Sequence, residues 1–84
     1  MSEIIITLKL YSGIDKELNI RNYDNSLGIM LNVQKGSSLR SILKQAGIRK
    51  LSRFIYFCSG HHVSLWKRFY EPAEVSCLKV SGGG

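Results

Sequence analysis

The period of the apolar positions changes along the chain, and each change marks an element. The stretch "IIITLKLY" (Ile4–Tyr11) is β-branched and partly alternating, which predicts a strand. The segment after it, "SGIDKELNIRNYDNS", is rich in turn formers and charge. It reads as a long connection that touches strand around Leu18–Ile20. Leu27–Gln34 predicts a second strand with Ile29, Leu31 and Val33 on one face. Beyond Gly36 the period lengthens: Leu39, Ile42, Leu43 and Ala46 form the stripe of an amphipathic helix. Ser37 or Ser38 can cap its free N–H groups, and Gly47 sits where a left-handed residue would end it.

Alternation returns in Arg53–Ser59, a third strand broken at Gly60, and Val63 opens a short edge strand. "SLWKRFYEPAE" reads as irregular, with a turn of 3₁₀ helix around Trp66, and Glu74–Val80 as the last strand. The order β-β-α-β-(β)-β predicts an α+β domain of two layers. One main helix packs on one face of a mixed sheet of four to five strands.

Composition narrows this picture. Eighty-four residues, 44% of them hydrophobic and only Pro72 a proline, predict one folded domain over 1–80. Residues 81–84 are expected to form a flexible tail. No apolar run approaches the roughly 20 residues needed to cross a bilayer. The start lacks the basic flank, apolar stretch and cleavage site of a signal peptide. Cys58 and Cys77 are too few for a disulfide framework and fit a reducing compartment. The expectation is a cytoplasmic protein with no membrane partner. Its net charge of +6, from 12 Lys+Arg against 6 Asp+Glu, points to acidic protein surfaces or nucleic acid.

Three constellations carry possible chemistry. Cys58, His61, His62 and Cys77 resemble a zinc set only in residue type; the spacing matches no ligand knuckle, and adjacent strand histidines face opposite ways. No metal or bound cofactor is expected. Neither cysteine has an evident activating charge, so a catalytic thiol is not expected either. Arg40, Lys44, Arg49, Lys50 and Arg53 cluster from helix to strand, with Lys67, Arg68 and Lys79 adding charge. Tyr56, Trp66 and Phe69 are interleaved, but no stacking motif or phosphate cradle accompanies them, so nucleic acid is disfavoured. A solvated helix face is the plain reading, and an acidic partner enzyme comes next.

The end of the chain, "EVSCLKVSGGG", poses a different question. Three glycines after a strand bury nothing and lose the most backbone freedom on ordering. Their lack of side chains is useful only where a partner needs a thin, extended segment. Together with this tail, the chain resembles the ubiquitin-like β-grasp proteins, specifically the sulfur carriers of molybdopterin and thiamine synthesis. "ITLKLYSGIDKEL" is similar to the family's first strand and charged connection, and "VQKGSSLRSILKQAGI" to its strand, glycine, helix and closing turn. "FIYFCSG" stands where the family has a strand ending in Asn-Gly, and "EPAEVSCLKVSGGG" resembles the strand leading to its Gly-Gly end. Three departures are visible. Ser59 replaces the turn Asn, "EPAEV" lacks the usual Asp-Gly-Asp, and the tail carries no proline.

The resemblance implies a carrier and cosubstrate, not an enzyme, although such a chain can act as the small subunit of a molybdopterin-synthase-like complex. A ubiquitin-activating-like enzyme would adenylate the carboxylate of Gly84, using ATP that the partner binds. Sulfur transfer would leave a thiocarboxylate for a sulfur-accepting synthase subunit. Counting back without a gap makes Gly83-Gly84 the functional pair; matching the "VSGG" string makes it Gly82-Gly83. The family register places Val75, Cys77 and Cys58 under the helix. It leaves Phe57, Leu78 and Val80, followed by Ser81 and Gly82, as the partner-binding line; the alternative is that the loop carrying Trp66 and Phe69 covers them. Two other classes share the sequence features: a ubiquitin-like modifier conjugated through Gly84, and a basic β-grasp binding module. The acceptor pathway stays open among pterin, thiamine, tRNA-thiolation and amino-acid routes. The length and the "LKLYSGIDKEL" start lean to the molybdopterin type.

Overall fold

Strand β1, Glu3–Leu10, sets the sidedness of the molecule: Ile4, Ile6, Leu8 and Leu10 are buried, while Glu3 and Ile5 between them are exposed. One face of a strand therefore supplies a quarter of the buried core before any other element is considered. The computed structural model describes residues 2–20, 23–24, 26–49 and 51–79.

Next comes a single helical turn, α1 (Ile14–Glu17), ahead of the place where the sequence predicts strand character, Leu18–Ile20. Ser12 and Gly13 both take positive φ (60° and 76°), which swings the chain out of the sheet. The fully buried Ile14 then plugs the core, and Asn19 (φ 57°) ends the turn. Leu18 and Ile20 pack against the core from this connection rather than from a strand.

Strand β2 runs from Ile29 to Gln34, two residues later than the alternation begins. Gly28 explains the delay: its φ is +71°, and a Cβ there would lie 2.7 Å from the Leu8 carbonyl oxygen. Gly28→Ala should destabilise the fold by about 1–3 kcal/mol, because strain and a clash with rigid backbone coincide. Urea unfolding with an unchanged midpoint would contradict this placement.

The two-residue strand β3 (Ser37–Ser38) leads directly into helix α2, Leu39–Gln45. Of the two expected capping residues, Ser38 makes the cap: its hydroxyl accepts from the Ser41 N–H at 3.3 Å. Ser37 instead donates to the Gln34 carbonyl. Leu39, Ile42 and Leu43 are fully buried, and the helix closes at the left-handed Gly47 (φ 84°).

A 3₁₀ turn at Leu51–Arg53 feeds β4, Phe54–Cys58, which forms a hairpin with β5, His61–Val63. Ser59 and Gly60 both have positive φ (53° and 80°), the conformation a two-residue hairpin turn demands. Asn tolerates this conformation better than Ser, so Ser59→Asn should raise stability by about 0.5 kcal/mol. A thermal scan showing no gain would argue against that turn. The expected irregular segment contains a two-residue strand, β6 (Arg68–Phe69), paired antiparallel with β3. The last strand, β7, covers Ala73–Lys79.

The main sheet has the order β2-β1-β7-β4-β5. β1 and β7 are parallel at its centre, and every other pairing is antiparallel. The domain is thus α+β, with a mixed five-stranded sheet and one main helix, as the sequence predicts. The last strand in the chain is the central strand in space.

Candidate functional site

The site expected from the sequence lies along β7 and the tail beyond it. Lys79 is the last described residue of that strand, and Val80, Ser81, Gly82, Gly83 and Gly84 lie outside the described residues. The register of β7 separates its two faces. Val75 and Cys77 are buried (0% and 1% exposed) among the core residues, as expected. Ser76 and Leu78 point the other way.

On that second face Leu78 sits opposite Ile55 and Ser76 opposite Phe57. Leu78, Ile55 and Phe57 are half-buried, and the Phe57 ring meets His62 edge-on at 5.6 Å. Tyr11, 46% exposed, donates its backbone N–H to the Cys77 carbonyl and so extends β1 beside Leu78. The structure therefore brings Phe57 and Leu78 together, with Ile55 and Tyr11 as neighbours that the sequence pattern does not single out. Ile55 has a usable signal, since it alternates with the buried Phe54 and Tyr56. Tyr11 has none, because its proximity comes from the parallel pairing of β1 with β7.

The loop carrying Trp66 and Phe69 does not cover this patch. Phe69 is buried (4% exposed) with the core residues, held there by β6 pairing with β3 ahead of the helix. Trp66 is 72% exposed at the other side of the domain, where the Arg40 guanidinium lies 5.9 Å from its ring centre.

An ionic cluster marks the place where β7 ends. Glu17 of α1 pairs with Lys79 at 2.5 Å, and Arg53, the last residue of the 3₁₀ turn before β4, approaches the same carboxylate at 3.9 Å. Glu17 and Lys79 are far apart in sequence, so nothing in the local pattern announces the contact. Of the expected basic cluster, Arg53 and Lys79 thus belong to the end of β7. Arg40, Lys44 and Arg49 lie together elsewhere, and Lys50 is outside the described residues.

The two cysteines differ. Cys77 is sealed in the core, whereas Cys58, near the hairpin end of β4, is partly exposed. Both lie on the core-facing side of the sheet, as the family register implies, with Cys58 directly opposite Val75; Cys58 is nevertheless only partly buried, because only the short β5 lies beyond it. Burial pushes the Cys77 thiol from 9.0 up to about 12. Between those values the folded chain keeps a proton that the unfolded chain releases. Stability should therefore fall as pH rises above about 9, by at most about 1.4 kcal/mol per pH unit from this group. The buried phenol of Tyr56, which donates to the Leu51 carbonyl at 2.7 Å and is also raised by desolvation, adds to the loss at still higher pH. Cys77→Ala should flatten the alkaline limb of a stability–pH curve, and iodoacetamide should modify Cys58 well before Cys77. Equal rates in the folded protein would place β7 in the wrong register.

Among the described residues no group of three His, Cys, Asp or Glu side chains could hold a metal ion. His61 pairs with Cys58 and His62 with Phe57, so the two histidines do face opposite ways. No helix among the described residues is long and apolar enough to cross a membrane. No protein-family model matches the chain, and no curated protein sequence does.

Proposed function

We propose that this chain is a β-grasp sulfur carrier whose glycine tail is adenylated and then thiocarboxylated by partner enzymes. The observation that carries the reading is the sheet order, with β7 central and parallel to β1. That arrangement is compatible with a β-grasp domain, and it places Lys79, five residues before the last glycine in sequence, at the end of the best-supported strand. A rigid root matters because the partner must hold a side-chain-free segment in a narrow channel. Fixing the root by folding reduces the ordering that docking itself has to supply.

The apolar patch of Phe57, Leu78 and their neighbours supplies a docking face on the strand that leads into the tail. Burying half-exposed aromatic and aliphatic side chains contributes the contact energy that tail ordering consumes. The chemistry then resides in the terminal carboxylate. It attacks the α-phosphorus of ATP on the partner and pyrophosphate leaves. A sulfide-equivalent donor next attacks the acyl carbon, AMP leaves, and a thiocarboxylate remains. The thiocarboxylate presents a sulfur nucleophile that the carboxylate did not. This reading requires the mature protein to end at its glycine run.

The first half-reaction provides the test. An adenylating enzyme of the ubiquitin-activating type, given Mg-ATP and labelled pyrophosphate, should exchange label into ATP only when this chain is present. Exchange that is indifferent to the chain, with every candidate enzyme from the same cell, contradicts the proposal.

A further inference from the structure

A second surface, separate from the patch on β7, has the properties of a recognition groove. It is an open cavity of about 630 Å³ between α2, the turn after it and the segment at Leu65. Its rim carries Arg40, Lys44 and Arg49, all exposed, and its floor is Ile48, Leu51 and Leu65. None of the six acidic residues of the chain lines it. A groove with a cationic rim and an aliphatic floor repels basic or strongly hydrated occupants and selects for the converse pattern.

The groove is also pre-formed. The Leu39 and Arg40 N–H groups donate to the carbonyls of Lys67 and Leu65, at 2.8 and 2.9 Å, tying the first turn of α2 to the far wall. The Ile48 N–H donates to the Leu43 carbonyl, and the Tyr56 hydroxyl holds the Leu51 carbonyl. A site whose walls are already hydrogen-bonded loses little entropy when occupied. Ser52, at one end of the groove, also lines the hollow formed by Arg53, Lys79 and Glu17 where β7 ends.

We propose that this groove docks an acidic peptide segment of a partner protein, with aliphatic side chains seated on Ile48, Leu51 and Leu65 and carboxylates on the three cations. The aliphatic floor decides between a peptide and a nucleic-acid strand. Bases stack on aromatic planes, and the neighbouring aromatic ring, Trp66, already has the Arg40 guanidinium beside it. The inference does not rest on the sulfur-carrier reading, and it holds or fails whether or not the tail is adenylated.

Trp66 is the single tryptophan and adjoins the rim through Arg40, so its emission is a direct reporter. The probe is a synthetic peptide of aspartates and glutamates around two leucines, titrated into the full chain. Saturable change in Trp66 emission is expected. Arg40→Glu with Lys44→Glu should weaken binding at least about tenfold, and Lys44→Glu with Arg49→Glu likewise, as for removal and reversal of close charge partners. Lys16→Glu with Lys35→Glu makes the same change in net charge away from the groove and should alter affinity less than about twofold. Replacing the leucines of the peptide by serine should also weaken binding about tenfold, since the floor then has nothing to cover. Far-ultraviolet circular dichroism checks that each variant is folded; if one pair fails, the other decides. Equal loss in groove and distant variants shows attraction by net charge alone and overturns the proposal, as does the absence of saturable binding. Tighter binding of a single-stranded oligouridylate, lost in the same groove variants, overturns it in favour of nucleic acid.

Discussion

Deleting Gly84 should abolish activation of the chain while leaving its folded body unchanged. Reach decides the outcome. An extended residue spans about 3.5 Å, whereas reacting groups tolerate displacements of about 0.5 Å. On the proposed reading, a chain one glycine short would still end in a carboxylate, at Gly83, but that carboxylate would stop well short of the α-phosphorus. The folded body supplies no slack, because Lys79 is held by pairing with Phe54 and by its ion pair with Glu17. Adenylate formation should drop by several orders of magnitude, with thermal unfolding unaltered. Gly83→Val should fail in the same way, through a branched side chain that the proposed channel would not admit. If the shortened chain is instead activated as well or better, the functional pair is Gly82-Gly83 and the longer form requires trimming.

The second large effect separates the two faces of β7. Val75→Asp should unfold the protein: Val75 is 0% exposed, set between Leu8 on β1 and Cys58 on β4, with no buried cation among the described residues to receive a carboxylate. Burying an unpaired charge costs several kcal/mol, and a domain of this size has only about 5–15 kcal/mol in total. Leu78→Asp, three residues along the same strand, points to the half-buried face. It should lower stability by only about 1 kcal/mol. Binding to the adenylating partner should nevertheless weaken by about 2 kcal/mol or more, as for an interface anchor. The pair is read by circular dichroism and by titration with the partner. A folded Val75→Asp, or an unfolded Leu78→Asp, would mean that the faces have been assigned the wrong way round.

Legibility in the sequence depends on which interactions are local. The period-two run of β1 and the stripe Leu39, Ile42, Leu43 of α2 are set by neighbours in the chain, so both elements appear where the pattern places them. The start of β2 does not, because the contact that delays it joins Gly28 to the Leu8 carbonyl, on a different strand. β3 and β6 are two residues each and exist only through one another; no period can be read from two residues. The turn α1 escapes the pattern for a similar reason: Ile14 is helical because Ser12 and Gly13 redirect the chain and the core has a space for it. The parallel pairing of β1 with β7 has no local signal, because it joins strands from opposite ends of the described chain.

The candidate surfaces divide in the same way. Phe57 and Leu78 are readable from alternation, and the structure places them diagonally across two paired strands. The groove at Arg40, Lys44 and Arg49 is visible in the sequence only as charge. Its floor sets Ile48 and Leu51, from the connection after α2, beside Leu65 from a distant segment, which only the folded chain brings together.

The central claim concerns one functional group, the terminal carboxyl, and its mass tests that claim most directly. The full chain is incubated with its adenylating enzyme, Mg-ATP and a sulfur donor, and the intact protein is weighed by mass spectrometry, alongside protein isolated from the cells that make it. The account predicts the gain of one sulfur in exchange for one oxygen, located on the last glycine, dependent on ATP and absent from the chain lacking Gly84. A terminus that keeps its plain carboxyl under all these conditions, in cells where the protein is found joined to lysines of other proteins, would contradict it.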